Sequence, residues 1–144
     1  MSGFLLDTNV FSEMIQPAPN TQVTGWLDSV DESLLYLSVL TLGEIRKGVT
    51  ILTSGRRRLA LESWLDSELQ MRFTGRVLPI DSGVADRWGQ LAGEAQTRGV
   101  ALAVIDGLLV ATALQHNLTL VSRNVRGFAL PELTPFNPWE GTTA

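Results

Sequence analysis

A chain of 144 residues with 15 acidic and 11 basic side chains is long enough for one domain with a real core, and its 44% apolar and 18% charged content rules out wholesale disorder. Having no cysteine and one histidine, it can form no disulfide, thiolate metal site, cysteine nucleophile or paired-histidine motif. A net charge of −4 argues against an architectural nucleic-acid coat but not against an enzyme acting on nucleic acid, because clustered metal-binding acids add negative charge of their own.

Short β-type runs alternate with helical patterns along the chain, which predicts an α/β domain over residues 1–144 with a central, mostly parallel sheet. Gly3 to Leu6 reads as a short buried strand stopped by Asp7, and a helix follows from Thr8 to Ile15 until Pro17 and Pro19 break it. Asn20 caps a second helix bearing Val23, Trp26, Leu27 and Val30 on one face. Leu34 to Leu37 is a second strand, and Ser38 caps a helix carrying Val39, Leu42, Ile45, Val49 and Leu52. A helix over about Arg57 to Phe73 leads to the strand Val77 to Ile80, where Pro79 marks a sheet edge or strand end. Asp81 caps the next helix, which Arg98-Gly99 terminates. Then come a helix over 103–116, the strand Leu118 to Val121, an irregular stretch to Pro135 with a short edge strand, and a frayed end from Gly141 to Ala144. The most apolar stretch, Gly99 to Leu114, is broken by Asp106 and too short to span a bilayer, so the protein is expected to be cytoplasmic.

Three carboxylates do not fit a folding argument alone. Asp7 follows a buried strand, at the strand end where open parallel sheets bind ligands, although it can equally cap the helix at Thr8. Glu44 shares a helical row with Leu40, Gly48 and Ile51; a solvated helix glutamate is the plain alternative. Asp106 lies in a row with Leu102, Leu109, Val110 and Ala113, where an isolated carboxylate is costly. A divalent cation, a helix-start cap or a partner arginine would each account for it. In a parallel sheet all three acids fall toward one edge, where they repel each other unless a hard cation neutralises them. All-oxygen ligation favours Mg²⁺ or Mn²⁺ over zinc, and phosphodiester hydrolysis is the reaction class such ions serve.

The ordered set Leu5-Leu6-Asp7-Thr8-Asn9, Tyr36 through Glu44 and Ile105 through Ala113, with the closing Phe136-Asn137-Pro138-Trp139, resembles the PIN-domain ribonucleases. The nearest likeness is to VapC-type toxins of type II toxin–antitoxin pairs, in the FitB-like branch, over nearly the whole chain. The resemblance implies a three-layer α/β/α domain and a metal-dependent endoribonuclease with a Mg²⁺ or Mn²⁺ cofactor. By position, Asp7, Glu44 and Asp106 match the family's catalytic and metal-binding acids. Asp7 and Asp106 would hold the cation and Glu44 would orient or deprotonate the attacking water, leaving a 3′-hydroxyl and a 5′-phosphate. Thr8 matches a hydroxyl that helps hold the site and, with Arg123 and Arg126, is assigned to the substrate side. Where the family commonly has a fourth acid, this chain has Asn124 and Gly127; the amide of Asn124 is a weaker oxygen ligand, so a second metal should be held less well.

The same resemblance implies a homodimer held inactive by a VapB-type antitoxin, whose tail covers the acids and whose own domain carries any DNA binding. Apolar surface on the first helices, around Val10, Phe11, Ile15 and Trp26, is the expected docking groove. Arg56-Arg57-Arg58 with Arg46 and Lys47 could grip the RNA backbone, or form an ordinary solvated face. Two rival readings stay open: a catalytically weakened PIN-fold module that binds RNA, and a haloacid-dehalogenase-type phosphohydrolase. The latter needs a second acid two residues after the first, where this chain has Asn9.

Overall fold

The computed structural model describes residues 2–128 and 130–140; the expected fraying of Gly141 to Ala144 lies outside them. The chain begins with β1 (Phe4–Leu6), α1 (Thr8–Met14) and α2 (Thr21–Ser29), followed by β2 (Leu35–Ser38) and α3 (Val39–Thr50). Next come α4 (Arg56–Ser63), a π-helical stretch (Trp64–Leu69) and α5 (Gln70–Arg72), which together form one continuous helical rod. It closes with β3 (Val77–Leu78), α6 (Ser82–Thr97), α7 (Val104–Gln115) and β4 (Thr119–Val121). Three expected caps are made: Asn20 Oδ1 accepts from Gln22 N at 2.9 Å, Ser38 Oγ from Leu40 N at 3.0 Å and Asp81 Oδ1 from Val84 N at 2.9 Å.

The sheet is parallel throughout, in the order β3-β2-β1-β4. Side chains alternate across it, as a two-sided sheet requires. Leu6, Leu35, Leu37 and Val121 join a core with Val10, Phe11, Val23, Ile45, Val49, Leu69 and Phe73 from the helices before β3. Leu5 and Leu120 face the opposite way, into a second core with Val84, Leu91, Leu109, Val110 and Ala113 of α6 and α7. The layers are therefore helix, sheet, helix, as expected.

Four details differ from the sequence expectation. The helix after Gly55 is not α-helical throughout; the π-helical stretch at Trp64–Leu69 adds one residue to its hydrogen-bonded turns while Leu65 and Leu69 stay buried. The strand expected to Ile80 ends at Leu78, one residue before Pro79, which has no N–H for a ladder. The edge strand expected before Phe136 is a single parallel bridge to Val121: Phe136 N donates to Leu120 O, and Ser122 N donates to Phe136 O, both at 2.9 Å. Finally, of the residues expected around a docking groove, Val10 is fully buried in the core and half-buried Trp26 packs edge-on against Phe4 at 5.1 Å, while Ile15 and Phe11, the latter without exposed surface, do line a groove.

Glycine at 107 has a packing cause. A Cβ built there would lie 2.9 Å from Trp88 Cδ1 and 3.0 Å from Nε1, so the indole of α6 rests on the bare backbone of α7, one residue after Asp106. Gly107→Ala should raise intrinsic helix propensity by about 1 kcal/mol. We nevertheless expect a net destabilisation of about 1–3 kcal/mol from overpacking. A lower midpoint in thermal melts checks this; an unchanged or higher midpoint would show that the indole moves aside freely.

Candidate active site

The strand order places the site. The chain steps from β1 to β2 and β3 on one side, then returns over the opposite face to lay β4 on the other side of β1. The β1–β4 seam is thus a topological switch point, and crevices outside the carboxyl ends of strands at such points bind ligands. Asp7 stands there, at the carboxyl end of β1, with its N–H donating to Val121 O at 2.9 Å. α3 starts where β2 ends and carries Glu44 in its second turn. α7 runs back toward the start of β4, so its first turn, with Asp106, lies at the same edge of the sheet.

Asp7 is buried, and its oxygens are held by the protein. Oδ1 accepts from Thr8 N at 2.7 Å; Oδ2 accepts from Ser122 Oγ at 2.8 Å and from Asn9 Nδ2 at 3.4 Å. The helix-capping role weighed for Asp7 is therefore real, but it uses one oxygen only. Glu44 is oriented by the Thr8 hydroxyl, which donates to its Oε1 at 2.7 Å. Asp106 is half-buried in the first turn of α7, while Leu109, Val110 and Ala113 of its row are buried. Ile51, expected to sit above Glu44 on an apolar row, is instead 78% exposed.

Burial pushes the Asp7 carboxyl above its ordinary pKa; the hydrogen bonds from Ser122 and Thr8 pull it down, and the charges of Glu44 and Asp106 add to the rise. Asp106 is raised first by burial and then by Glu44. The charge of Glu44 thus reaches both aspartates, and that of Asp106 reaches Asp7. Among the described residues none of them has a lysine or arginine partner, so the partner-arginine explanation for Asp106 fails.

No three His, Cys, Asp or Glu side chains among the described residues are close enough together to form a ready-made metal cage. The donor chemistry nonetheless suits a hard divalent ion. It consists of oxygens only and carries negative charge that no base offsets among the described residues, which a hard ion retaining several waters would neutralise. Asp7 and Asp106 are the residues that would hold it.

The remaining residues expected at the site fall around it. Asn124 is exposed; its Oδ1 accepts from Gly127 N at 3.1 Å, closing the turn into a 3-10 helix at Arg126–Phe128, and an amide oxygen in that bond keeps one lone pair. Arg123 and Arg126 are exposed on the segment after β4. Arg46 pairs with Asp66, and Arg58 with Glu62 at 3.7 Å, so much of the basic run is an ordinary salt-bridged face. Arg57 instead lines a groove of about 200 Å³, along with Thr8, Glu44, Ile15, Leu52 and Trp64.

Two residues belong to the site that sequence reasoning missed. Ser122 is fully buried and receives hydrogen bonds from Asn9 Nδ2 and Asn124 N while giving its own to Asp7. Asn9 ties the loop down through Arg123 N, which donates to its Oδ1 at 3.3 Å. The available signal was that Ser122 follows Leu120-Val121 just as Asp7 follows Leu5-Leu6, a polar residue ending a buried strand.

A three-layer parallel fold with an acid at its switch point and two more acids on adjoining helices defines a class. Residues 4–131 match the PIN-domain model, and the chain belongs to the PIN-domain family. Within that family it is similar to Toxin FitB of Neisseria gonorrhoeae, 42% identical over 135 residues, covering 94% of this chain and 97% of that protein. It is also similar to VapC ribonuclease Y4jK of Sinorhizobium fredii, 35% identical over 136 residues, with 94% and 97% covered. The crystal structure of FitAcB from Neisseria gonorrhoeae contains a chain of TM-score 0.89 and 41% identity, covering 94% of this chain and 98% of that one. The FitB-like likeness read from the sequence thus holds along the chain. Among the described residues no helix is long and apolar enough to cross a membrane.

Proposed function

We propose that this protein is a Mg²⁺- or Mn²⁺-dependent endoribonuclease, the toxin of a toxin–antitoxin pair, acting in the cytoplasm. The observation that carries the reading is that Asp7, Glu44 and Asp106 lie toward the switch-point edge, the charges of Glu44 and Asp106 raising Asp7 and that of Glu44 raising Asp106, with none of the three paired with a base among the described residues. The names of the FitB and VapC relatives support it.

A cation at Asp7 and Asp106 would polarise the scissile phosphate and neutralise the charge that develops on it. Ser122 and the Thr8 N–H hold Asp7 in the orientation that a ligand needs. The Thr8 hydroxyl fixes Glu44 through one oxygen and leaves the other free to orient a water and take its proton. In-line attack then yields a 3′-hydroxyl and a 5′-phosphate. Arg123 and Arg126 stand on the substrate side, and Asn124 is a weaker oxygen ligand. The groove beside Glu44, apolar along Ile15, Leu52 and Trp64, is the seat for an antitoxin tail, with a homodimer as the assembly.

The test is incubation of the purified protein with RNA in Mg²⁺ or Mn²⁺, followed by end-group mapping. We expect cleavage to 5′-phosphate products that stops with EDTA; cleavage indifferent to EDTA, or cyclic-phosphate ends, would overturn the reading. A second reading, a PIN module that binds RNA without cutting it, draws on Asn124 standing where a fourth acid is common. It predicts RNA binding and no cleavage in the same experiment.

A further inference from the structure

The reading above gives Arg123 to the substrate side but leaves Trp139, which packs against it, without a part. Arg123 is tied by its backbone N–H to Asn9, whose amide also reaches Asp7 Oδ2 at 3.4 Å and Ser122 Oγ at 3.1 Å. Its main chain is therefore part of the wall of the site. Its guanidinium carbon lies 5.3 Å from the centre of the Trp139 ring, within cation–π range.

Trp139 is itself braced. Its backbone N–H donates to Asn137 Oδ1 at 2.9 Å, and its indole N–H donates to Glu13 Oε1 at 3.3 Å. The other oxygen of Glu13 accepts the N–H of Asn20 at 2.9 Å, and Asn20 caps α2. Through Glu13 the ring is thus fixed against the end of α1 and the start of α2. Among the described residues Arg123 makes no salt bridge, although it is exposed on a chain of net charge −4. A solvent-exposed arginine without a partner samples many rotamers, whereas one laid on a fixed indole keeps its planar fork in one place.

The geometry points to Trp139 as a positioning residue, whose ring presents the Arg123 guanidinium as a preformed fork for an RNA phosphate beside the acid cluster. This rests on the ribonuclease reading. Cation–π contact uses the face of the guanidinium and leaves its N–H edges free, and those edges are what a phosphate takes in a two-pronged hydrogen bond. The position also answers an electrostatic need: three uncompensated acids repel a polyanion, and a fixed cation close by offsets that repulsion where the strand enters.

The test is the anisotropy of a labelled single-stranded RNA of mixed sequence, titrated in chelator across a salt series so that nothing is cut. Arg123→Ala should weaken binding about fivefold to tenfold and flatten the slope of log K against log salt by about 0.7, the loss of one phosphate contact on a single strand. Trp139→Leu should weaken binding about threefold yet keep the parental slope, since the charge remains. Trp139→Phe, which retains a ring, should recover most of that loss. In the Arg123→Ala background Trp139→Leu should add nothing, because the two act as one unit. In cleavage assays Trp139→Leu should raise KM and leave kcat unchanged.

If the leucine chain fails to fold by circular dichroism, Arg123→Lys serves in its place. It keeps the charge but lacks the flat face, and should show the parental slope with weakened binding. Arg123→Ala with parental affinity and slope, or a Trp139→Leu loss that persists without Arg123, would overturn the proposal. A parent chain that binds no RNA in chelator, or that binds it indifferently to both residues, sinks this inference alone; the ribonuclease reading stands or falls by the metal-dependent cleavage test.

Discussion

Asp106→Asn should lower metal-dependent RNA cleavage at least about a hundredfold while making the metal-free protein more stable, not less. The first effect follows from removing a charged oxygen ligand from a site that has few. The second follows from the direction of the pKa shift. Burial and the charge of Glu44 raise the Asp106 carboxyl in the folded state, so the native protein binds that proton more tightly than the unfolded chain does. Ionisation of Asp106 therefore opposes folding. The penalty is absent below the ordinary carboxylate pKa, grows as pH rises toward the raised folded value, and is full above it. Asparagine removes it, so in chelator the variant should melt above the parent at neutral pH, with the gap closing as pH falls through the carboxylate range. A variant that melts below the parent at neutral pH, or that cleaves at the parental rate, would remove Asp106 from the site. Asp7 is a poorer test, although its pKa moves the same way, because its oxygens also accept from Thr8 N and Ser122 Oγ. An amide there would set its NH₂ group against one of those donors.

Phe11→Ala is expected to cost about 3–5 kcal/mol of folding stability, the range for deleting a buried aromatic side chain. Phe11 has no exposed surface, meets Phe73 edge-to-face at 5.7 Å, and belongs to the core that joins α1 to the sheet. It also lines the groove beside Glu44, so its loss would widen that groove as well as hollow the core. Urea unfolding monitored by tryptophan fluorescence gives the number. A cost near 1 kcal/mol would mean that α1 closes over the gap, and that the position of Thr8 depends little on this ring.

Much of this was legible in the sequence because the signals were local. Asn20, Ser38 and Asp81 announce helix starts by a mechanism that acts within three residues, and all three make the bond expected of them. The three acids were conspicuous for a similar reason, since each breaks an apolar pattern. What escaped was non-local. Whether Phe11 faces solvent depends on Phe73, which is 62 positions away and invisible to the periodicity of α1. Ser122 looks like any strand-end serine until β4 is laid beside β1 and its hydroxyl meets Asp7. The π-helical stretch at Trp64–Leu69 left no composition cue, since its residues are ordinary helix formers and its buried Leu65 and Leu69 keep a helical spacing of four.

The two flanks of the sheet have a consequence for assembly. On one side β3 offers two residues and then Pro79; on the other, Phe136 already occupies the backbone groups beside Leu120 and Ser122. Both flanks are thus blunted, one by its shortness and a proline and the other by a covering segment, which disfavours edge-to-edge aggregation. The same bluntness disfavours recruitment of another polypeptide by β-augmentation and favours docking through side chains against the helical layers.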